Sequence, residues 1–233
     1  MSRPFRFKQF LIVQDKTPMK VGTDGVLLGA WAEGGRRILD VGVGTGVVAM
    51  MMAQRFAKAD IVGIDICDDA IEEATHNVRQ SQFCDRITIE KQDFRELVSA
   101  AKYDTIVCNP PYFENSLKCP ETGRSMARHS ETLSLKELMS KSGEMLMNSG
   151  LLNIIIPYSL IDEAMNDARK CGFVVRKAMR VRGTKEAEWK RVLLCFELNG
   201  EETDWAMTEM TLEQERGVRS EAYQKLTEEF YMN

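Results

Sequence analysis

Asn109-Pro110-Pro111-Tyr112 places an unusual set of chemical groups in four consecutive positions. The Asn109 side-chain oxygen and the Pro110 carbonyl are both acceptors, so together they can grip the two N–H bonds of a primary amino group. An amine conjugated to a ring is a poor nucleophile, because its lone pair is delocalised. Holding both N–H bonds aims that lone pair at an electrophile and lets the nitrogen become tetrahedral. Proline fixes φ at about −65° and donates no N–H, which makes the loop stiff. Tyr112 adds an aromatic face on which a flipped-out base can stack. The plainer alternative is a strand-ending turn, since Asn-Pro commonly opens one.

A second set of residues is suited to the electrophile's carrier. In Ile38-Leu39-Asp40-Val41-Gly42-Val43-Gly44-Thr45-Gly46 the glycines follow the spacing G-x-G-x-G. A dinucleotide site would prefer G-x-G-x-x-G, but position 47 is Val47. Bare backbone at Gly42, Gly44 and Gly46 lets a ligand approach the N–H groups of the following helix. Asp40 can accept from an ammonium group, which suits the methionine part of S-adenosylmethionine better than a pyrophosphate. Asp65, ending Ile61–Asp65, offers two acceptor oxygens to a pair of ribose hydroxyls. Asp93 can accept from an adenine amino group, with Ile66 or Phe94 flanking the ring. Taken singly, Asp65 and Asp93 could be turn or cap residues. At the ends of consecutive parallel strands, the three aspartates point into one crevice.

The elements that must position these residues follow from the apolar patterning. Residues 37–41, 61–65, 86–91, 104–108 and 151–156 read as buried strands. Helical patterns fill 47–55, 68–80, 133–147 and 159–170, with a short helical piece near 95–101. Residues 173–181 and 191–198 are extended with no helix between them, so this last pair is expected to be antiparallel. Before the first repeat, Phe5–Val13 reads as a strand, and Thr23 as the N-cap of a helix ended by Gly34-Gly35. Alternating strand and helix implies a parallel sheet covered on both faces. The expected fold is α/β and Rossmann-like: a mostly parallel seven-stranded sheet with one antiparallel strand, plus a short N-terminal extension. This divides the chain into an N-terminal extension (1–36), a catalytic domain (37–200) and an acidic C-terminal tail (201–233).

Composition limits the other possibilities. The 233 residues allow one substantial domain. No apolar run is long enough for a signal-peptide core or a membrane span, so a cytoplasmic protein with no membrane partner is expected. The six cysteines form no CxxC pair, and the chain has two histidines, so neither a metal site nor a disulfide framework is expected. Net charge is −4, but residues 201–233 hold nine acidic and three basic side chains. The remaining chain is slightly basic. Oligomeric state is not legible.

Two resemblances narrow this reading. Asn109–Tyr112 resembles the N/D-P-P-Y/F/W loop of methyltransferases that act on planar amino nitrogens, and the element order is similar to that of class I methyltransferases. Three further blocks resemble the bacterial tRNA(Val) adenine-N6 methyltransferase family. They are Phe7-Lys8-Gln9-Phe10, the run from Met19 through Gly22-Thr23-Asp24-Gly25 to Trp31, and Ala127-Arg128-His129-Ser130-Glu131-Thr132-Leu133. The resemblance covers roughly residues 5–200. It implies S-adenosylmethionine as cofactor, with Thr23 joining the cofactor-binding residues, and methylation of N6 of the adenosine at tRNA position 37. The catalytic loop alone leaves open a protein-glutamine N5-methyltransferase or an rRNA base amino methyltransferase. A helical N-terminal domain of the release-factor type has no room in the roughly 36 residues before the first strand. For RNA contact the candidates are Lys118, Arg124, Arg128 and His129 after the loop, and Arg180 and Arg182 on one strand face. The two arginines could instead protect a sheet edge.

Overall fold

The structure is a computed structural model that describes residues 4–17, 19–110 and 133–232. Its centre is an eight-stranded sheet. In chain order these strands are β3 (Arg37–Val41), β4 (Asp60–Asp65), β5 (Ile87–Lys91), β6 (Tyr103–Cys108), β7 (Leu146–Pro157), β8 (Phe173–Arg182), β9 (Arg191–Leu198) and β10 (Met207–Thr211). Their spatial order is β10-β8-β9-β7-β6-β3-β4-β5. Every neighbouring pair is parallel except the two that involve β9, which runs against both β7 and β8. The single reversed strand is the one expected from the run of two strands without a helix between them.

Successive side chains on a strand face opposite sides, and the apolar residues fill both faces. Ile38, Ile61, Val107 and Leu193 join one core with helices α1 (Thr23–Trp31), α2 (Val47–Arg55) and α3 (Asp68–Arg79). Leu39, Ile64, Ile106 and Leu194 join a second core with α4 (Leu135–Met145) and α5 (Ile161–Lys170). The α4 start is fixed by a capping box. The Ser134 hydroxyl accepts from the Glu137 N–H, and the Glu137 carboxylate accepts from the Ser134 N–H.

Three local expectations are corrected. Phe5–Val13 is not one strand but a small hairpin of β1 (Phe5–Arg6) and β2 (Leu11–Ile12). Its aromatic residues fold inward, with Phe7 stacked on Phe10 at 4.6 Å. Thr23 is the first residue of α1 rather than its cap; Gly22 holds the cap position without a side-chain hydrogen bond. Third, the sheet has an eighth strand. The acidic C-terminal segment 201–233 supplies this strand, β10, together with a short β11 (Glu213–Glu215) and β12 (Val218–Arg219) hairpin and helix α6 (Glu221–Thr227). Phe230, 2% exposed, belongs to the first core, and Tyr231 bridges to Phe7. Strand β8 is therefore not an edge, which removes edge protection as the reason for Arg180 and Arg182.

Candidate active site

The chain moves from β3 through β4 to β5 toward one side of the sheet, and from β6 to β7 toward the other. The reversal lies between β3 and β6. Adjacent parallel strands whose connections leave on opposite sides open a crevice at their carboxyl ends, where α/β sheets bind ligands. Val41 pairs with Cys108 and with Ile64, so Gly42, Asn109 and Asp65 leave the sheet side by side. Three of the candidates, Gly42, Asp65 and Asn109, from distant stretches of sequence, thus meet at one place.

The glycine loop is shaped for a ligand. Gly42, Gly44 and Gly46 have φ of 75°, 53° and 83°, in the left-handed region that L side chains disfavour. A Cβ at Gly42 would meet nothing within 4 Å, so the backbone faces open space. The Gly42 and Val43 N–H groups donate to the Ile64 carbonyl, both at 2.9 Å, which ties the loop to β4. Helix α2 then starts at Gly46 with no side-chain cap and no acidic residue in its first turn. Its leading N–H groups are suited to an external carboxylate.

Asp40 is 2% exposed, and its Oδ2 has no hydrogen-bond partner. Burial pushes its pKa up to about 7; a backbone hydrogen bond from Ala49 partly offsets this, and the Asp65 charge adds to it. A buried carboxylate with an orphaned oxygen is costly unless a cation completes it. Asp65 is held differently. Its Oδ2 accepts from the Gly44 N–H and its Oδ1 from the Cys67 N–H, both at 3.0 Å. Each oxygen keeps a further lone pair, so the carboxylate is fixed in orientation and can still accept two hydroxyls. Ile66 beside it is 50% exposed, an apolar surface next to a polar anchor.

Two predicted cofactor residues are placed differently from expectation. Phe94 is 3% exposed within the second core and offers no free ring face, which leaves Ile66 as the apolar flank. Asp93 caps the 3-10 turn Phe94–Glu96 and is paired with the Arg95 guanidinium, at 3.0 Å from Nε to Oδ1 and 2.6 Å from Nη2 to Oδ2. That hydrogen-bonded pair holds the Asp93 carboxyl below the ordinary carboxylate range despite partial burial. Its role as turn cap, the plainer alternative, is realised.

Thr23 is exposed at the start of α1. Two residues on, a Cβ at Gly25 would lie 3.4 Å from Val47, so α1 and α2 begin together beside the glycine loop. Asn109 is half-buried and Pro110 buried directly after β6. Pro111, Tyr112, Lys118, Arg124, Arg128 and His129 lie outside the described residues. Cys108, just before Asn109, is 1% exposed, and burial pushes its thiol well above its usual pKa, so it is no nucleophile.

Strand β8 runs parallel to β7, so its end lies on the same edge of the sheet as the crevice. Here Arg180 and Arg182 both lie over the Trp189 ring, at 4.3 and 4.5 Å from its centroid. Arg180 pairs with Glu209, and Arg182 donates to the Thr211 hydroxyl and the Lys185 carbonyl. These contacts hold the two guanidinium groups in place and make Trp189 part of a rigid basic and aromatic rim. Trp189, in the connection between β8 and β9, was not among the sequence candidates.

Comparison with known proteins adds the family. Residues 21–167 match the methyltransferase small domain family. A protein of Bacteroides thetaiotaomicron named tRNA1(Val) (adenine(37)-N6)-methyltransferase is 42% identical over 237 residues, covering 100% of this chain and 99% of its own length. The chain belongs to that methyltransferase family. A protein of the same name from Flavobacterium psychrophilum is 38% identical, covering 98% of this chain and 99% of that protein. The fold likeness extends to more distant structures. One from Agrobacterium tumefaciens, described as a predicted O-methyltransferase, superposes with a TM-score of 0.67 at 16% identity, covering 89% of this chain and 96% of the other. TrmN from Thermus thermophilus gives a TM-score of 0.52 at 19% identity, over 74% of this chain and 47% of TrmN. The α/β class I methyltransferase fold is thus shared, and the cofactor of this methyltransferase is S-adenosylmethionine.

Proposed function

We propose that this protein transfers the methyl group of S-adenosylmethionine to the exocyclic N6 of adenosine 37 in tRNA(Val). The observation that carries the reading is the emergence of Asn109 beside Gly42 at the β3/β6 reversal, which sets an amine grip next to a cofactor cradle. The names of the full-length relatives supply the substrate.

The crevice fits the cofactor by charge and shape. The orphaned Asp40 oxygen supports an ammonium partner, and the uncapped α2 N-terminus a carboxylate, the two ends of an amino-acid moiety. Asp65 is assigned to the ribose hydroxyls, Ile66 to the adenine face and Thr23 to the edge of the site at α1. When bound, S-adenosylmethionine supplies an electrophilic methyl group on a sulfonium.

The chain's own residues then act on the amine. The Asn109 side-chain oxygen and Pro110 carbonyl accept its two N–H bonds and turn its lone pair toward the crevice. By the loop sequence alone, Pro111 is assigned to stiffening the loop and Tyr112 to stacking on the base. As the nitrogen takes on positive charge, the same two acceptors strengthen their hold, which favours the transition state over the ground state.

The RNA face is assigned to the Trp189 rim with Arg180 and Arg182, and to Lys118, Arg124, Arg128 and His129 by sequence. The enzyme acts in the cytoplasm, where its tRNA substrate is. Arg180→Glu with Arg182→Glu is expected to weaken tRNA binding at least roughly tenfold and to flatten the salt dependence of log K by about one to two. S-adenosylhomocysteine affinity should stay unchanged. Filter binding across a salt series checks this, and an unaltered slope removes the rim from the RNA face.

A further inference from the structure

The N-terminal segment 13–17 is bound to α3 more tightly than a connecting loop requires. Glu73 is 4% exposed, and its carboxylate accepts from four donors. These are the N–H groups of Asp15 (2.5 Å), Lys16 (2.9 Å) and Thr17 (2.9 Å), and the Thr17 hydroxyl. One helical turn later Asn77, 1% exposed, accepts from the Val13 N–H and donates to the Val13 carbonyl, both at 2.9 Å. Its amide also donates to the carbonyl of Thr45 at 3.0 Å, inside the glycine loop. The Thr17 methyl lies 4.0 Å from where a Cβ at Gly44 would stand. One face of α3 therefore holds the glycine loop and the segment lying over it.

We propose that Glu73 is a positioning residue for the cofactor: with Asn77 it locks segment 13–17 against Gly44, so that the segment forms a fixed wall of the cofactor crevice. This rests on the reading of that crevice as the S-adenosylmethionine site. A buried carboxylate is an expensive way to anchor a loop, because its charge must be matched by hydrogen bonds. Here three consecutive N–H groups and a hydroxyl meet it, and the hydrogen bonds outweigh burial to keep the carboxyl below its usual range. What the arrangement secures is orientation. Past Thr17 the chain leads to Val21, whose N–H donates to the Gln14 side chain at 2.9 Å, and then to α1, where Thr23 and Gly25 meet the start of α2. Release of the segment would therefore loosen both the cover over Gly44 and the approach to Thr23. No residue of the segment needs to touch the reacting methyl.

The test compares wild type, Glu73→Gln and Thr17→Val. Glutamine keeps the side chain's shape but replaces one acceptor oxygen with an NH2 that faces donors. Valine removes only the Thr17 hydroxyl and guards against a Glu73→Gln chain that fails to fold. Affinity for S-adenosylhomocysteine is measured by calorimetry, amide exchange at residues 13–17 by mass spectrometry, and KM and kcat with tRNA. Glu73→Gln should exchange faster at 15–17 and bind S-adenosylhomocysteine roughly tenfold more weakly. The KM for S-adenosylmethionine should rise to match, while kcat at saturation and tRNA affinity stay within about twofold. Thr17→Val should move in the same direction by a smaller factor. Equal affinity in all three proteins overturns the inference while leaving the cofactor reading intact. A wild type that binds no S-adenosylhomocysteine overturns the cofactor reading and this inference with it.

Discussion

Asn109→Ala is expected to lower kcat for RNA methylation by about 10²–10³-fold while leaving affinity for S-adenosylhomocysteine and tRNA nearly unchanged. The magnitude is that of removing one preorganised hydrogen-bonding group that acts most strongly on developing charge. Asn109 follows β6 directly, and its neighbours are fixed by the Val41–Cys108 pairing, so alanine removes the acceptor without moving the strand. Asn109→Asp separates orientation from charge. It keeps an oxygen acceptor of the same length and should retain measurable activity, because an anionic acceptor also holds an amine and favours the cationic nitrogen. Single-turnover methyl transfer with both substrates saturating checks the prediction. An alanine variant as fast as wild type contradicts the assignment of the loop.

Asp40→Asn is expected to stabilise the ligand-free protein and cripple cofactor binding together. Burial raises the Asp40 pKa from 3.8 to about 7. Between these values the folded chain holds a proton that the unfolded chain has released. The contribution of Asp40 to the stability of the free protein therefore falls as pH rises from about 4 to 7 and is flat above. Asparagine is neutral throughout, so its advantage over aspartate grows across that window and persists at pH 8. The shift sets an upper limit of about 4 kcal/mol. After the cost of burying an amide group, a gain of about 2 kcal/mol, or roughly 5 °C in Tm, is expected. At the same time the ammonium partner is lost, which should weaken S-adenosylhomocysteine binding on the order of 100-fold. In wild type, affinity should decline as pH drops below 7 and Asp40 takes up a proton. Thermal melts and calorimetry at pH 6 and 8 measure both halves. A less stable Asp40→Asn protein that binds normally contradicts this account.

Stability and function pull in opposite directions at this one carboxylate. That conflict marks a binding site: an aspartate with no partner for its second oxygen persists where a ligand provides one.

Local pattern revealed most of the sheet because buried parallel strands are apolar along their whole length and alternate with helices. Arg37–Val41, Val47–Arg55 and Arg191–Leu198 have in the structure the bounds read from their residues. Strand β10 escaped notice for a physical reason. Only Met210 of Met207–Thr211 is buried, so the segment has no strand-like apolar run, and its place comes from pairing with β8 some thirty residues away. The tail's acidic character likewise concealed Phe230 and Tyr231, whose backbone partners, Lys8 and Phe7, lie at the opposite terminus.

The proposed cofactor end of the site rests on Asp40, the three glycines and Asp65, which the sequence pattern already places at or just beyond the ends of strands. Phe94 was misplaced because a residue next to a predicted ligand can point either way, and only the packing of the second core decides. Glu73 and Asn77 did leave a sequence signal. With Ala70, Ala74 and Val78 they occupy the spacing i, i+3, i+4, i+7, i+8, so two polar residues stand on the buried stripe of α3. Polar residues on such a stripe need partners, and here the partners lie between 32 and 64 residues upstream.

The central claim is methyl transfer to one amino group of one nucleoside, and nucleoside analysis tests it most directly. Purified enzyme is incubated with unmodified tRNA(Val) and S-adenosylmethionine carrying an isotopically labelled methyl group. The RNA is then digested, and the labelled nucleoside is identified and mapped by mass spectrometry. The account predicts labelled N6-methyladenosine at position 37, absent with Asn109→Ala. Label on guanosine or cytidine, or RNA left unlabelled while a protein glutamine acquires the methyl group, would contradict it.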